Sequence, residues 1–377
     1  MFTNNLKARF ILLQIDRRVL IHFDFLLPIL VLPVIGMSYF LISDINATLA
    51  NKQIVYFTIG FLAFLFFFLI PIKKFEWLIP SFYWVTIFLL ISVDFFGTSR
   101  LGARRWLDIP FVNFSLQPSE IFKPMFVLML AYLIKQNPPD EKGYSWKNFV
   151  KLSFHILLPF LLIAKEPDLG TAMVLLLVGY GVLFVIGVNK KIWFTLILLI
   201  GVSVPFLYNS LHDYQKKRIT DFVSEKPSYH VKQSIIAIGS GGLYGKSIEN
   251  ATQTRYKFLP ISTSDFIFAY YVERFGFSGA LALIVFYSLL ITHLITLNFK
   301  LKKDYFAQVV TTGISFLLFV YTSVNIAMTI GLAPVVGVPL PFFSYGGSSF
   351  ITFMIFFGIL ENTLTFRYDP TYKSIKY

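Results

Sequence analysis

A carboxylate, Asp265, lies where the polar stretch LPISTSD meets a strongly apolar run that continues to about residue 297. At about 1.5 Å per residue, this run is long enough to cross about 30 Å of hydrocarbon. Asp265 is therefore expected near one membrane surface, where an ionisable side chain is costly to desolvate and is a candidate functional group. The alternative is a helix-capping role, because an aspartate at a helix start favours the positive end of the helix dipole.

Two further groups of charged residues also lie next to apolar runs. Glu120 and Lys123 stand three positions apart in QPSEIFKP, so they share one face of a predicted helix. Such a pair in a membrane faces protein or a cavity, and it is either a substrate-binding pair or a structural ion pair. Lys165, Glu166 and Asp168 belong to the short linker AKEPDLGT. Three charges in so short a loop predict that it contributes to a shared cavity, with a helix cap as the alternative for Asp168.

Proline and glycine are concentrated in the segment IGLAPVVGVPLPFFSYGGSSF, residues 330–350. A regular helix or strand does not continue easily through such a sequence. Irregular backbone near the membrane is stable where protein or a watery cavity satisfies its polar groups. This segment is therefore predicted to form part of a site wall, with the hydroxyls of Ser344 and Ser348 as candidate substrate contacts.

The glycine-rich run IGSGGLYGKS, residues 238–247, is superficially similar to a phosphate-binding loop. That motif requires glycine five positions before Gly245, where this chain has Ser240, and it follows a strand that is not predicted here. We therefore do not expect this run to bind a nucleotide.

The composition excludes a water-soluble protein. Of the 377 residues, 56% are hydrophobic and 14% are charged, whereas ordinary soluble domains carry about 25% charged residues. The chain is therefore predicted to be an all-α, polytopic integral membrane protein. Its net charge of +13 fits basic loops that face an anionic leaflet, and we expect no nucleic-acid partner. The chain has no cysteine, and its five histidines do not form a zinc-binding pattern.

The apolar runs predict about ten transmembrane helices in a single membrane domain, residues 1–377. A large extracytoplasmic segment is predicted at about residues 212–263. The predicted spans are 19–42, 52–71, 75–96, 118–135, 149–164, 168–188, 191–211, 264–297, 305–331 and 343–366. Some of these runs are shorter than about 20 residues, which predicts tilted or partly embedded helices.

The distribution of lysine and arginine predicts the orientation of these spans. If the N-terminus is cytoplasmic, the inside segments hold most of these residues, including Lys73, Lys74, Lys190 and Lys191. The positive-inside rule then places both termini in the cytoplasm.

Two outside segments are exceptions to this pattern. Residues 97–117 contain three arginines, and residues 212–263 contain eight basic residues against four acidic ones. Because orientation does not require these cations, we expect an anionic partner at the outer face. The candidate contacts are Arg104, Arg105, Arg255 and Lys257, and the alternative is a solvated basic loop.

Taken together, six sequence blocks resemble the SEDS family (shape, elongation, division and sporulation). In chain order they are GARRWLDIP, QPSEIFKP, EPDLGTA, QSIIAIGSGGLYGK, LPISTSDFIFAYYVERFG and GVPLPFFSYGGSS. The blocks spread over nearly all predicted spans, and RWLDIP and PVVGVPLPFFSYGGSS look more like the elongation branch than the division branch. The chain departs from the family pattern at Ser264, where threonine is usual, and at Arg274, where a glutamate or an aliphatic residue is more common.

This resemblance implies a peptidoglycan glycosyltransferase that polymerises lipid II at the outer face of the bacterial cytoplasmic membrane during cell elongation. The family's catalytic aspartate corresponds to Asp265. The resemblance also implies a class B penicillin-binding protein, which cross-links the product, and other membrane proteins of the rod complex as partners.

The chemistry of this reaction fits the candidate residues. Asp265 can act as the general base for the acceptor hydroxyl, and the diphosphate leaving group requires cations. The predicted substrate contacts are Arg104, Arg105, Glu120, Lys123, Lys165, Asp168, Arg255, Lys257, Ser344 and Ser348. A divalent cation, Mg²⁺ or Mn²⁺, is a candidate aid to the leaving group, although no ligand cluster in the sequence requires it. The alternative functions are a lipid II flippase, a division-type polymerase and a non-catalytic scaffold.

Overall fold

The computed structural model describes residues 22–100, 103–109, 114–166, 168–210, 216, 220, 222, 228–256, 258–259, 261–301 and 304–368. Helices dominate this part of the chain. They are α1 (Leu26–Ile45), α2 (Ala47–Leu69), α3 (Ile79–Phe96), α4 (Pro118–Gln136), α5 (Trp146–Lys165), α6 (Leu169–Ile186), α7 (Lys190–Ser210), α8 (Tyr229–Ser240), α9 (Thr252–Arg255), α10 (Ile267–Lys300), α11 (Tyr305–Thr329) and α12 (Gly347–Thr365). Short 3-10 turns lie at Ile72–Lys74, Glu76–Leu78 and Phe366–Tyr368.

Each of the ten predicted spans corresponds to one long helix. Eight segments of the described chain are long and apolar enough to cross a membrane: α1, α2, Glu76–Phe96, α5, α6, α10, α11 and α12. The two other long helices are α7 and α4, and α4 carries three charged residues, Glu120, Lys123 and Lys135. The prediction of a polytopic helical membrane protein is confirmed.

Residues that are favoured at helix N-termini lie at the starts of several of these helices. The Asn46 side chain accepts hydrogen bonds from the backbone N–H groups of Thr48 and Leu49 at the start of α2. Asp304 accepts from the Ala307 N–H at the start of α11, and Pro118 occupies the first turn of α4. The Asn46 and Asp304 side chains satisfy N–H groups that have no partner within a helix, and Pro118 has no N–H group that needs a partner, so these residues favour a helix start at their positions.

A small antiparallel sheet follows α3 and was not predicted. Strands β1 (Thr98–Arg100), β2 (Ala103–Ile109) and β3 (Phe114–Leu116) lie in the order β1-β2-β3. Thr98 pairs with Trp106, and Leu107 pairs with Leu116. Strand β2, which carries Arg104 and Arg105, contacts α3 and α4.

Helix α10 is interrupted at Gly276, which has φ 67° and ψ −164°. A side chain at Gly276 would clash with the backbone of Leu243 and Gly245, so the glycine-rich run 238–247 packs directly onto this break. The Phe277 N–H donates to the Gly242 carbonyl at 2.8 Å and secures the contact. The run predicted as one span, 264–297, is therefore two helical pieces, and the glycines serve close backbone packing.

The helix termini of the described chain are grouped at two opposite ends of the molecule, each held by its own contacts. At the first, which we call the Asp265 end, the Tyr345 N–H donates to the Thr263 carbonyl at 2.8 Å. At the second, which we call the opposite end, Lys73 lies 3.3 Å from Asp304. The buried helix α11 runs between the two ends and packs against α4, α6 and α10. The long connecting segments that carry most of the predicted site residues belong to the Asp265 end.

Candidate active site

A cavity of about 520 Å³ opens at the Asp265 end, and we call it the Arg105 cavity. Its walls come from the small sheet, the starts of α4 and α6, the middle of α11 and the proline-rich segment before α12. The lining residues are Arg105, Trp106, Gln117, Glu120, Asp168, Thr171, Tyr321, Gly337, Val338, Pro339, Gly346, Gly347, Ser348 and Ser349. The predicted role of segment 330–350 as a wall of irregular backbone therefore matches its position.

Asp265 lies beside this cavity in a turn, residues 261–266, that precedes α10. A Cβ atom built on Gly337, a cavity wall residue with φ 72°, would lie 3.5 Å from Oδ2 of Asp265. The Asp265 carboxylate therefore lies next to Gly337, a wall residue that has no side chain. Phe266 occupies the N-cap position of α10 and makes no side-chain cap hydrogen bond. Asp265 is therefore not the N-cap residue, but it lies one residue before it, near the positive end of the helix dipole.

Two buried side chains hold this turn in place. The Asn325 amide donates to the Asp265 carbonyl at 3.0 Å and to the Val338 carbonyl at 2.7 Å. The Ser344 hydroxyl donates to the Ser264 carbonyl at 2.7 Å and accepts the Leu340 N–H at 2.7 Å. The turn is therefore joined through side chains both to α11 and to the segment 330–346.

The surroundings of Asp265 make its carboxylate more basic. Burial raises the pKa of Asp265 above its ordinary value, and the hydrogen bond from Ser264 opposes this change. Burial disfavours the charged form of a carboxyl, so the carboxylate takes up a proton more readily than one in water. This property suits a group that removes a proton from a substrate near neutral pH.

The cations at the Arg105 cavity are compensated by carboxylates. The Arg105 guanidinium lies 3.6 Å from Oδ1 of Asp168, and its Nε donates to the Glu166 backbone carbonyl at 3.3 Å. Lys123 is 2% exposed and lies 2.6 Å from Glu120. Asp168 also caps α6 through the Thr171 N–H, so both interpretations of this residue are consistent with its position.

Glu166 lies behind Arg105 and is buried, with 3% of its surface exposed. Neither carboxyl oxygen has a hydrogen-bond partner among the described residues. Burial, together with the nearby Asp168 and Asp94, raises the pKa of Glu166 to about 8, and Arg105 partly opposes the shift. This shift favours the protonated, neutral form of the side chain in the folded protein.

A second cavity, of about 380 Å³, is lined in part by the first residues of the 261–266 turn, and we call it the Arg255 cavity. Its lining residues are Asp44, Ile45, Ile248, Ala251, Thr254, Arg255, Leu259, Ile261, Ser262, Thr263 and Tyr270. The structure thus separates the predicted contact Arg255 from Arg105, which lines the first cavity.

The other predicted contacts divide into three groups. Lys165 lies 2.7 Å from Asp94 and does not line the Arg105 cavity. The Ser344 hydroxyl is occupied by backbone groups, whereas Ser348 lines the cavity. For Arg104 the structure describes only the backbone, and Lys257 lies outside the described residues.

Several residues of the site could not be found from the sequence. Asn325 lies inside a long apolar run. An amide side chain in such a run is the sequence signal that could have indicated a buried, hydrogen-bonded group. Asp44 and Arg274 form an ion pair at 3.1 Å across 230 positions of the chain. Arg274 departs from the family pattern, but the sequence alone does not identify Asp44 as its partner.

No group of three or more candidate metal ligands occurs among the described residues. The carboxylates at the Arg105 cavity, Glu120 and Asp168, are each paired with a cation. The donor set therefore does not fit a dedicated divalent-cation site.

Comparisons with known proteins agree with this arrangement. The profile of the FtsW/RodA/SpoVE cell cycle proteins matches residues 14–369. The peptidoglycan glycosyltransferase MrdB of Helicobacter pylori (strain ATCC 700392 / 26695) is 56% identical over 96% of this chain and 95% of its own length. MrdB of Escherichia coli (strain K12) is 41% identical over 79% of this chain and 80% of its own length.

Solved structures share the fold. A chain from a peptidoglycan synthase complex that coordinates polymerization and crosslinking has a TM-score of 0.79 at 25% identity, covering 92% of this chain and 99% of that one. The rod shape determining protein RodA of Thermus thermophilus has a TM-score of 0.69 at 24% identity, covering 92% and 98%. Because the profile covers nearly the whole sequence and the relatives align over most of it, this chain belongs to the FtsW/RodA/SpoVE family of cell cycle proteins.

Proposed function

We propose that this protein is a peptidoglycan glycosyltransferase that polymerises lipid II during cell elongation, with Asp265 as the general base. The observation that carries the proposal is the position of Asp265, which is partly desolvated and lies next to Gly337 in the wall of a polar cavity of about 520 Å³. Family membership and the names of the H. pylori and E. coli relatives support the type of reaction.

The proposed step is a direct displacement at the anomeric carbon of the donor sugar. Asp265 takes the proton from the acceptor 4-hydroxyl, and the oxygen of that hydroxyl forms the new bond to the anomeric carbon. The bond between this carbon and the phosphate oxygen breaks, and its electron pair leaves with undecaprenyl diphosphate. A positioned base of this kind contributes about 10²- to 10⁴-fold to a rate.

The Arg105 cavity supplies positioning groups for this step. Glu120, Asp168, Gln117 and Ser348 offer hydrogen-bond acceptors and donors to sugar hydroxyls and amides. Burial of the neutral Glu166 beside Arg105 keeps that wall free of an additional negative charge. Assistance by Mg²⁺ or Mn²⁺ stays a prediction, and no step proposed here depends on it.

The proposed orientation places the Asp265 end at the outer face of the bacterial cytoplasmic membrane and both termini in the cytoplasm. Its support is the excess of lysine and arginine in the segments of the opposite end. The segment at about 212–263 would then be extracytoplasmic. A cysteine replacing Lys142 should resist an impermeant thiol reagent in intact cells, and reaction at this position would contradict the orientation.

The proposed partner is a class B penicillin-binding protein that cross-links the new glycan, within a complex that includes other rod-complex membrane proteins. The similarity to a chain from a synthase complex that couples polymerization and crosslinking supports this proposal.

The decisive experiment measures glycan chain length made from lipid II by purified protein in detergent, alone and with the partner. The native protein should extend chains, and Asp265→Asn should reduce the rate about 10²- to 10⁴-fold while the protein stays folded. The matched control is Asp140→Asn, because Asp140 is an exposed aspartate at the opposite end.

Detergent micelles contain no second leaflet, so polymer formed there reports glycosyl transfer and not translocation. Near-native chain growth by Asp265→Asn would remove Asp265 from catalysis. Failure of the native protein and of its complex to make polymer would favour a flippase or a scaffold.

A further inference from the structure

The Arg255 cavity has the size and lining of a small-molecule site. Its volume of about 380 Å³ lies within the range of about 300–1,000 Å³ that is usual for ligand pockets. Four of its wall residues carry hydroxyl groups, namely Thr254, Ser262, Thr263 and Tyr270. The Thr254 hydroxyl donates to the buried carboxylate of Glu273 at 3.0 Å, and hydroxyl groups in general both donate and accept hydrogen bonds.

The charges in this cavity are unequal. The carboxylate of Asp44 is paired with Arg274, whose Nε and Nη2 lie 3.4 and 3.1 Å from its Oδ2. The Arg255 guanidinium donates to the Glu249 backbone carbonyl at 2.9 Å, and no carboxylate pairs with it among the described residues. One cation of the wall therefore has no compensating anion within the described part of the chain.

The Arg105 cavity differs in this respect, because its cations, Arg105 and the underlying Lys123, each have a carboxylate partner. A diphosphate is attracted to a cation that still has free donors more than to one already neutralised. On charge alone, the Arg255 cavity is the better place for an anionic ligand.

Residues of the turn that carries Asp265 lie in the wall of one cavity and against the wall of the other. Its first residues, Ile261 to Thr263, line the Arg255 cavity, while the Asp265 carboxylate faces Gly337 in the wall of the Arg105 cavity. In a direct displacement the attacking oxygen and the leaving oxygen lie on opposite faces of the anomeric carbon. The base and the leaving diphosphate are therefore expected on different sides of the reacting sugar.

From these observations we infer that the Arg255 cavity binds the diphosphate-linked sugar of the donor substrate, and that the Arg105 cavity binds the acceptor sugar. This inference rests on the proposed polymerase function and assigns its two substrates to two cavities. Arg255 contacts the diphosphate, the wall hydroxyls contact the phosphate and sugar oxygens, and Arg274 positions Asp44 so that its charge does not repel the ligand.

The kinetic test compares Arg255→Gln with the native chain in the detergent polymerisation assay. Loss of a charge-assisted hydrogen bond should raise the lipid II concentration at half-maximal rate about 10- to 100-fold. Inhibition by inorganic pyrophosphate should weaken by a similar factor. The control is Lys232→Gln, which removes an exposed cation from α8 at the same end and should leave both values unchanged.

A binding test that does not depend on catalysis uses the absence of native cysteine. Ser262→Cys places a thiol in the Arg255 cavity, and Ser348→Cys places one in the Arg105 cavity. Inorganic pyrophosphate should slow thiol modification of Ser262→Cys several-fold and leave Ser348→Cys unaffected.

These measurements separate the two proposals. Protection of Ser262→Cys without polymerisation by the native protein would support the anion site and overturn the polymerase function. Polymerisation with no protection, with equal protection of both thiols, or with protection of Ser348→Cys alone would overturn the cavity assignment. Unchanged pyrophosphate inhibition in Arg255→Gln would also overturn it.

Discussion

The two ends of the helical bundle use the same types of charged residue for different purposes. At the opposite end, Lys73 pairs with Asp304 at 3.3 Å, and His293 lies 2.5 Å from Asp24, so polar side chains join segments that are distant in sequence. At the Asp265 end, Arg105 and Arg255 line open cavities. A charge next to an apolar run is therefore not sufficient evidence for a site, since structural pairs show the same local sequence.

The connecting segments distinguish the two ends. The turns at the opposite end are short, such as residues 70–78 between α2 and α3. At the Asp265 end the connections include a small sheet, the glycine-rich run 238–247 and the segment 330–346. Irregular backbone with polar groups requires protein or water as a partner, so these long connections leave room for cavities. The comparison predicts that equivalent substitutions have unequal effects at the two ends.

The largest effect on stability is expected from Lys123→Met. Lys123 is buried, pairs with Glu120 at 2.6 Å and lies 5.1 Å from the ring centre of Tyr321. Its removal leaves a buried carboxylate without a cation, which costs about 3–5 kcal/mol of unfolding free energy. Thermal unfolding in detergent should show a large fall in melting temperature. The double variant Glu120→Gln, Lys123→Met should recover most of it, and an equal fall in both variants would contradict the ion-pair explanation.

A pH-dependent effect is expected from Glu166. Its pKa of about 8 in the folded protein exceeds the ordinary 4.5, so the contribution of its protonation to stability is complete below pH 4.5 and is lost as the pH rises to about 8. Glu166→Gln cannot ionise, so the stability of the native chain relative to this variant should fall between pH about 5 and 8. Melting temperatures across this range provide the measurement, with the exposed Glu249→Gln as the control. Parallel profiles for native protein and Glu166→Gln would show that Glu166 titrates normally.

The smallest effect is expected at the opposite end from Lys73→Met. The side chains of Lys73 and Asp304 are 18% and 25% exposed, and partly solvated pairs contribute about 0–1 kcal/mol. The melting temperature should change little, and lipid II polymerisation should be unaffected. A loss of polymerisation comparable with that of Asp265→Asn would show that the opposite end takes part in the reaction, and the distinction between the two ends would fail.

The sequence predicted the helical framework well because apolar length is a local property. Each of the ten apolar runs became a helix, with boundaries displaced by a few residues, as for the run 19–42 and helix Leu26–Ile45. The break at Gly276 was not predicted, since it results from the packing of residues 242–245, which a pattern along α10 does not contain. The sheet after α3 was missed because strands of three to seven residues give little periodicity.

The site was predicted in part for the same reason. Three predicted site residues lie next to apolar runs, where a membrane boundary is expected from the local sequence. The fold brings all three, Asp265, Glu120 and Asp168, to one end. The fold places Arg255 and Arg105 in the walls of different cavities. It also pairs Asp44 with Arg274, on two helices 230 positions apart in the chain. Such relations exist only in three dimensions.

The break at Gly276 has a consequence for the response of the protein to its membrane. A continuous helix from Ile267 to Lys300 would be about 50 Å long, well beyond the hydrocarbon thickness, and any change of tilt would be transmitted along it to Asp265. Because the ladder of helical bonds is interrupted at Gly276, the part after the break can adjust its tilt to bilayers of different thickness. The residues on both sides of the break are attached to the 242–246 backbone, before it through the Lys246 N–H bond to the Glu273 carbonyl at 3.0 Å and after it through the Phe277 N–H bond to the Gly242 carbonyl at 2.8 Å, so the adjustment of tilt belongs to the later turns of α10. We therefore expect the geometry around Asp265 to be insensitive to the acyl-chain length of the lipids that surround the protein.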